Sequence, residues 1–294
     1  MSRRMARRFL RHRMAVASLG LILIFAIASF AAPLVEYALG VDAEKANLFA
    51  RLAPPSFDNL LGTDELGRDL LVRFLYGGRV SLIVALAGAA IAAVAGAAIG
   101  LLAGYHGGWL DSILMRLTDG VIALPLLPLL IVLAAVDLNK LGLPAAIVES
   151  ENISLYRIVL IISLVGWTTV ARLVRAETLS LKQREFVRAA VAQGAGSGRI
   201  MRVHILPNAV SPIIVATTLS IGNVILFESV LSFLGLGVQP PVASWGNMLT
   251  NAQELIWSAP ALAVWPGMLI FATVIAFNFL GDGLQDALDP RAVD

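Results

Sequence analysis

Six long apolar runs divide the chain, at residues 14–36, 80–104, 112–136, 156–177, 209–234 and 261–281, with polar stretches between them. A helix rises about 1.5 Å per residue, so a hydrocarbon layer of about 30 Å takes about 20 apolar residues. Each run reaches that length, and each is predicted to be a transmembrane helix. The second, "SLIVALAGAAIAAVAGAAIGLLAG", is rich in Ala and Gly. Small residues let helices approach closely, so this span is expected to lie buried among the others. The third carries Pro125 and Pro128, which imply a kink whose freed backbone groups neighbouring helices must satisfy. The predicted fold class is an all-α membrane protein with six transmembrane helices.

Composition supports that reading. Of 294 residues, 58% are hydrophobic and 14% charged, and the mean hydropathy is +0.83. A soluble domain carries about 25% charged residues. The absence of cysteine excludes a disulfide framework, a Cys-based zinc site and a thiol nucleophile. His12, His106 and His204 lie far apart and lack metal-ligand spacing.

The net charge of +2 is unevenly placed. The first 13 residues, "MSRRMARRFLRHR", hold six arginines and no acid, and 172–202 is also basic. Lys and Arg favour the cytoplasmic side. That predicts a topology with 1–13, 178–208 and the tail 286–294 in the cytoplasm, and with 37–79, 137–155 and 235–260 outside. Arginines just before a span read as an orientation anchor in preference to a nucleic-acid site. "RRFLR" resembles a twin-arginine export signal, but the apolar run that follows is too long for one and no cleavage site is evident.

In "LGTDELGRDLLVRFLYGGRVSL", Thr63 is predicted to cap an amphipathic helix with Asp64 and Glu65 in its first turn. Asp64/Arg68 and Asp69/Arg73, four apart, are expected to pair. Trp245, Trp257 and Trp265 are placed at the outer membrane interface.

The stretch 192–208, "AQGAGSGRIMRVHILPN", has the glycines of a phosphate loop but not its chemistry. Gly198 is followed by Arg199 and Ile200, so the lysine and hydroxyl are missing, and the glycines at 194, 196 and 198 do not fit the dinucleotide spacing. Residues 183–193, "QREFVRAAVAQ", instead read as a short helix on which Ala189 and Ala190 leave one face low. Gly194 then permits a sharp turn. A second helix, 197–205, is expected to end at Pro207, before the fifth span.

This pattern resembles the coupling loop of bacterial ABC importer permeases: Glu-Ala-Ala, three residues, Gly, nine residues, Ile, one residue, Leu-Pro. Here it falls on Arg188, Ala189, Ala190, Gly194, His204, Leu206 and Pro207. Arg188 stands for Glu and His204 for Ile, and both departures are similar to the dipeptide/oligopeptide/nickel branch. "LGTDELGRDLLVRFLYGGRVSL", "ESVLSFLGLGVQPPVASWGNML" and "FNFLGDGLQDALDPR" also resemble that branch, in its second-subunit form; Gln285 departs from its usual Arg. The resemblance implies a type I ABC importer permease fold, with a transmembrane domain over 80–285 and a coupling loop at 183–208 between spans four and five. It also implies a place in the bacterial inner membrane, a heterodimer with a homologous permease, two ATPase subunits that bind ATP and Mg, and an extracytoplasmic solute-binding protein. No cofactor is implied in this chain. The cargo stays open: dipeptides, oligopeptides, nickel complexes, glutathione and some sugars fall within the branch.

Polar residues at membrane depth are costly and invite a functional reading. Glu228, in the fifth span, is read either as a pathway residue contacting a cationic group of the substrate or as a buried acid paired with an arginine of the partner subunit or of an outer segment. Asp119 is expected to pair with Arg116 along its helix, and Thr217, Asn223 and Asn278 to bond between helices. An ion- or proton-coupled secondary transporter would show inverted repeats and several intramembrane acids. A membrane hydrolase would need a Ser/His or paired-Asp constellation. Neither pattern is visible here.

Overall fold

The computed structural model describes residues 3–141, 144, 148, 150 and 152–288; apart from one isolated bridge between Thr63 and Asp69, the regular structure there is helical. The longer helices are α1 (Arg3–Arg11), α2 (Arg13–Phe30), α3 (Ala32–Leu39), α4 (Leu70–His106), α5 (Gly108–Ala123), α6 (Leu126–Ala135), α7 (Ile153–Leu181) and α8 (Glu185–Ala192). Then come α9 (Ser197–Arg199), a π-helix (Ile200–Ile205), α10 (Leu206–Phe233), α11 (Ala252–Leu255) and α12 (Ala261–Leu288). Five helical stretches are long and apolar enough to cross a membrane. The pair α5 and α6, bent by 90°, forms a sixth candidate broken at Leu124–Pro125.

The predicted Ala/Gly-rich span builds the tightest contact. Gly96, Gly100 and Gly104 stack on Trp167–Thr178 of α7 so closely that an added Cβ at Gly96 or Gly100 would lie 2.5 Å from the carbonyl oxygen of Trp167 or Ala171. The two helices run parallel. Helices α10 and α12 run antiparallel, with Gly222 against Val274 and Gly281 against Leu219. The main core lies among α4, α7, α10 and α12, with Leu130, Ile158, Ile225, Leu231 and Trp245 fully enclosed. Helix α2 covers one flank and leaves Leu23, Ile24, Ile27 and Phe30 exposed, an apolar face suited to lipid. The first span is shorter than predicted: the helix breaks at Ala31, and Pro33 starts α3.

The packing order defines two ends. One, the basic end, gathers α1, the C-terminal ends of α4, α7 and α12, and α8. The opposite loop end holds residues 40–69 and 234–260. There the expected amphipathic helix at Thr63 does not form. Gly67 sits at φ +73, with the carbonyl of Asn47 where a Cβ would stand, so the chain turns. Asp64 accepts the amides of Leu66 (2.8 Å) and Arg68 (2.9 Å), and Thr63 bonds to Ala50 and Ala53. The cap passes to Asp69, whose carboxylate accepts Val72 N–H at 2.9 Å and starts α4. Burial pushes the Asp69 carboxyl up, against the pull of the Val72 and Leu71 amides. Arg73 turns from Asp69 to Asp64 (3.4 Å) and the Ala43 carbonyl (3.2 Å), while Arg68 keeps its expected pair with Asp64 at 2.7 Å.

Candidate functional site

The sequence motif falls on α8 and the turn after it. Arg184, extended at φ −71 and ψ 147, starts the helix, and Glu185 sits in its first turn, where the helix dipole favours an acid. Val187, only 1% exposed, enters a cluster with Leu101, Val170, Val174, Ile200 and Ile205. At the other end Gly194 takes φ +81. Its N–H donates to Val191 O at 2.9 Å, and Ala195 N–H donates to Ala190 O at 3.0 Å. These two bonds around a left-handed glycine are the Schellman stop, which satisfies the last carbonyls of the helix.

The motif residues divide by exposure. Arg188, Ala189, Gly194 and Pro207 are exposed, Ala190 is buried, and His204 and Leu206 are half-buried. The alanine pair therefore does not form one low face: Ala190 packs inward and Ala189 faces out. A Cβ on Gly194 would meet nothing in this chain. Phe186, Val191 and Val203 are also exposed. The motif does not flag these three. The available signal was large apolar side chains within a basic, otherwise polar stretch, which exposed surfaces do not gather without a partner.

Pro207 does not end the second helix. Residues 197–233 form one continuous rod, with the π-helix at 200–205 inside it. Leu206 N–H reaches Met201 O, five residues back. The wider turn fits a proline, which has no N–H for the usual bond and whose ring crowds the carbonyl four residues earlier.

Deep in the bundle, Glu228 is fully buried. Its carboxylate accepts Ser81 Oγ–H at 3.0 Å and Ser232 Oγ–H at 2.7 Å. Each hydroxyl in turn accepts a backbone amide from the loop after α10: Trp245 N–H to Ser81 at 3.2 Å and Val238 N–H to Ser232 at 3.0 Å. Glu228 thus ties that loop to α4 and α10 through serines, and no described arginine bonds to it. A separate cavity of about 570 Å³ opens between the α5–α6 bend, α7 and α10. Thr168, Thr169, Ser220 and Asn223 are polar groups on its wall, and no charged side chain lines it.

Residues 96–294 match the model of the binding-protein-dependent transport system inner membrane component, and residues 1–55 match the N-terminal TM domain of oligopeptide transport permease C. The chain belongs to this permease family. It is 38% identical over 281 residues to the dipeptide transport system permease protein of Alkalihalophilus pseudofirmus, covering 96% of this chain and 87% of the relative. It is 41% identical over 285 residues to the oligopeptide transport system permease protein of Escherichia coli K12, covering 97% and 89%. The glutathione transport system permease protein of Pectobacterium atrosepticum is 41% identical over 287 residues, covering 97% and 89%. The molecule is therefore an inner-membrane permease subunit of an ABC importer, a non-enzymatic component whose ATPase is a separate protein.

Several polar residues of the permease take partners other than those predicted. Asp119 bonds Arg172 of α7 at 2.5 Å instead of Arg116. Next to it, Arg175 holds both oxygens of Asp111 at 2.5 and 2.7 Å, a fork that clamps α5 to α7. Thr217 and Asn278 turn to carbonyls of their own helices, Ile213 and Val274, and Asn223 faces the cavity. Trp245 is a core residue, not an interfacial one, and its indole N–H donates to Phe74 O at 3.0 Å. Trp257 and Trp265 are exposed.

Proposed function

We propose that this permease forms half of a translocation pathway for peptides or a related small solute, paired with a homologous permease and driven through residues 183–208 by two ATPase subunits. The build of α8 carries this reading. Val187 anchors the helix among the ends of α4, α7 and the π-helix and Ala190 is buried with it, while Phe186, Arg188, Ala189 and Val191 are exposed. A partner that moves the outward face must also move the bundle ends. That makes α8 a lever between two states of the spans. Arg188, Ala189, Ala190, Gly194, His204, Leu206 and Pro207 are the coupling residues in this account. ATP and Mg belong to the ATPase subunits.

The termini and 183–208 then face the cytoplasm, in line with their arginines, and the loop end receives the solute from its binding protein. Dipeptide, oligopeptide and glutathione appear in the names of relatives, which supports a peptide cargo. The uncharged cavity wall suits passage: it offers no fixed charge to hold a peptide terminus, so cargo choice rests with the binding protein. Reconstitution with the sister permease and ATPase tests this. ATP hydrolysis should rise when peptide-loaded binding protein is added. Peptide uptake by the isolated chain on an ion gradient, without ATP, would overturn it.

A further inference from the structure

The first 13 residues carry six arginines and no acid. The whole chain is +2, so the other residues sum to 2 − 6 = −4. The positive charge is concentrated at α1 and its junction with α2, and in the separate basic stretch 172–202. Phe9 is buried against Ala15 and Ala287 and pins α1 to α12. The far side of α1 is exposed: Arg7, Leu10 and Arg11 share it, at spacings of three and four. Leu10 is 67% exposed and Met14, in the first turn of α2, is 51% exposed.

Position decides what covers this face. A single residue, His12, joins α1 to α2, and its ring accepts Ala15 N–H at 3.1 Å to cap the span. From Met14 onward α2 presents apolar side chains outward, so the hydrocarbon layer begins about there. Leu10 lies four residues earlier, across the break at His12, so α1 sits beside the start of that layer. That is headgroup depth, where an apolar side chain between two guanidiniums matches the boundary between acyl chains and phosphates. We infer that Arg7, Leu10 and Arg11 on α1 form a docking face for anionic phospholipid headgroups. The planar guanidinium fork pairs with a phosphodiester's oxygens in two-point fashion, and a headgroup with net negative charge has the stronger attraction.

A Leu10→Cys variant of the full chain tests this, because the protein has no other thiol. The thiol carries an environment-sensitive fluorophore, and the protein sits in phosphatidylcholine nanodiscs doped with brominated phosphatidylglycerol or, in parallel, brominated phosphatidylcholine. Two arginines near a charged surface should give the anionic quencher an advantage on the order of tenfold in mole fraction. Arg7→Gln with Arg11→Gln should erase the difference. If that pair fails to fold, raising salt on the parent Leu10→Cys protein should shrink the same difference by screening. Millimolar inorganic phosphate should leave it unchanged. Equal quenching by the two lipids, displacement by free phosphate, or protection of the probe only when ATPase subunits are added would each overturn the proposal.

Discussion

Replacing Gly100 with alanine puts one methyl group into the tightest part of the α4–α7 contact. The new carbon would lie 2.5 Å from Ala171 O, 2.8 Å from Val174 Cβ and 2.9 Å from Arg175 N. Two of these three atoms are backbone and cannot rotate aside, so one helix must shift. Overpacking of this kind costs about 1–3 kcal/mol, and alanine's better helix propensity returns up to about 1 kcal/mol. With backbone neighbours the upper part of the range applies, giving a net loss of about 2 kcal/mol. For a chain of this size that lowers the melting midpoint by about 5 °C. Gly20→Ala is the control: α2 is helical there and a Cβ meets nothing within 4 Å. Both variants would be purified in the same detergent and melted with a fluorescence or size-exclusion readout. A Gly100→Ala variant that melts at or above the parent protein, or a Gly20→Ala variant that loses as much, would refute the clash at the α4–α7 contact.

Three further outcomes follow from the same geometry. Glu228→Gln presents an amide N–H₂ where a serine hydroxyl now donates; it should cost about 1–3 kcal/mol and speed hydrogen exchange at the Val238 and Trp245 amides, and unchanged exchange there would refute the serine network. Asp111→Asn and Arg175→Met should each loosen α5 from α7, with a double-mutant coupling of about 1 kcal/mol in melting experiments; strict additivity would show the fork to be idle. Gly194→Val forces a β-branched residue to φ +81 and should abolish ATPase stimulation by the binding protein in the assembled transporter. Gly194→Asn tolerates that backbone, so retained stimulation there assigns the effect to strain and lost stimulation assigns it to fit against the ATPase.

Much of the architecture can be read from the sequence because it rests on local properties. Span positions follow from hydropathy over about 20 residues, and the close α4–α7 contact follows from glycines four apart. Gly194 is legible because few other residues accept its left-handed backbone. What stayed hidden depends on residues distant in sequence. Thr63 and Asp69 are both competent caps, and only the approach of Asn47 to Gly67 decides between them. Asp119 has Arg116 close in sequence, yet Arg172, 53 positions away, wins. Trp245 leaves the interface because the Phe74 carbonyl offers its indole a buried acceptor. Within this chain Glu228 bonds to Ser81 and Ser232, and hydropathy passes over serines as partners for a buried acid. Pro207 looked like a stop because a π-helix just before it carries no clear sequence signal.

If α8 carries force from a separate ATPase into the spans, its outward face must touch that ATPase on the cytoplasmic side. Since the chain contains no cysteine, Ala189→Cys supplies a unique thiol on the outward face of α8. In the intact transporter, a short thiol cross-linker should join this position to the ATPase subunit, and an impermeant reagent added outside intact cells should leave it unlabelled. Labelling from outside, or no cross-link to the ATPase in an assembled and active complex, would contradict the account.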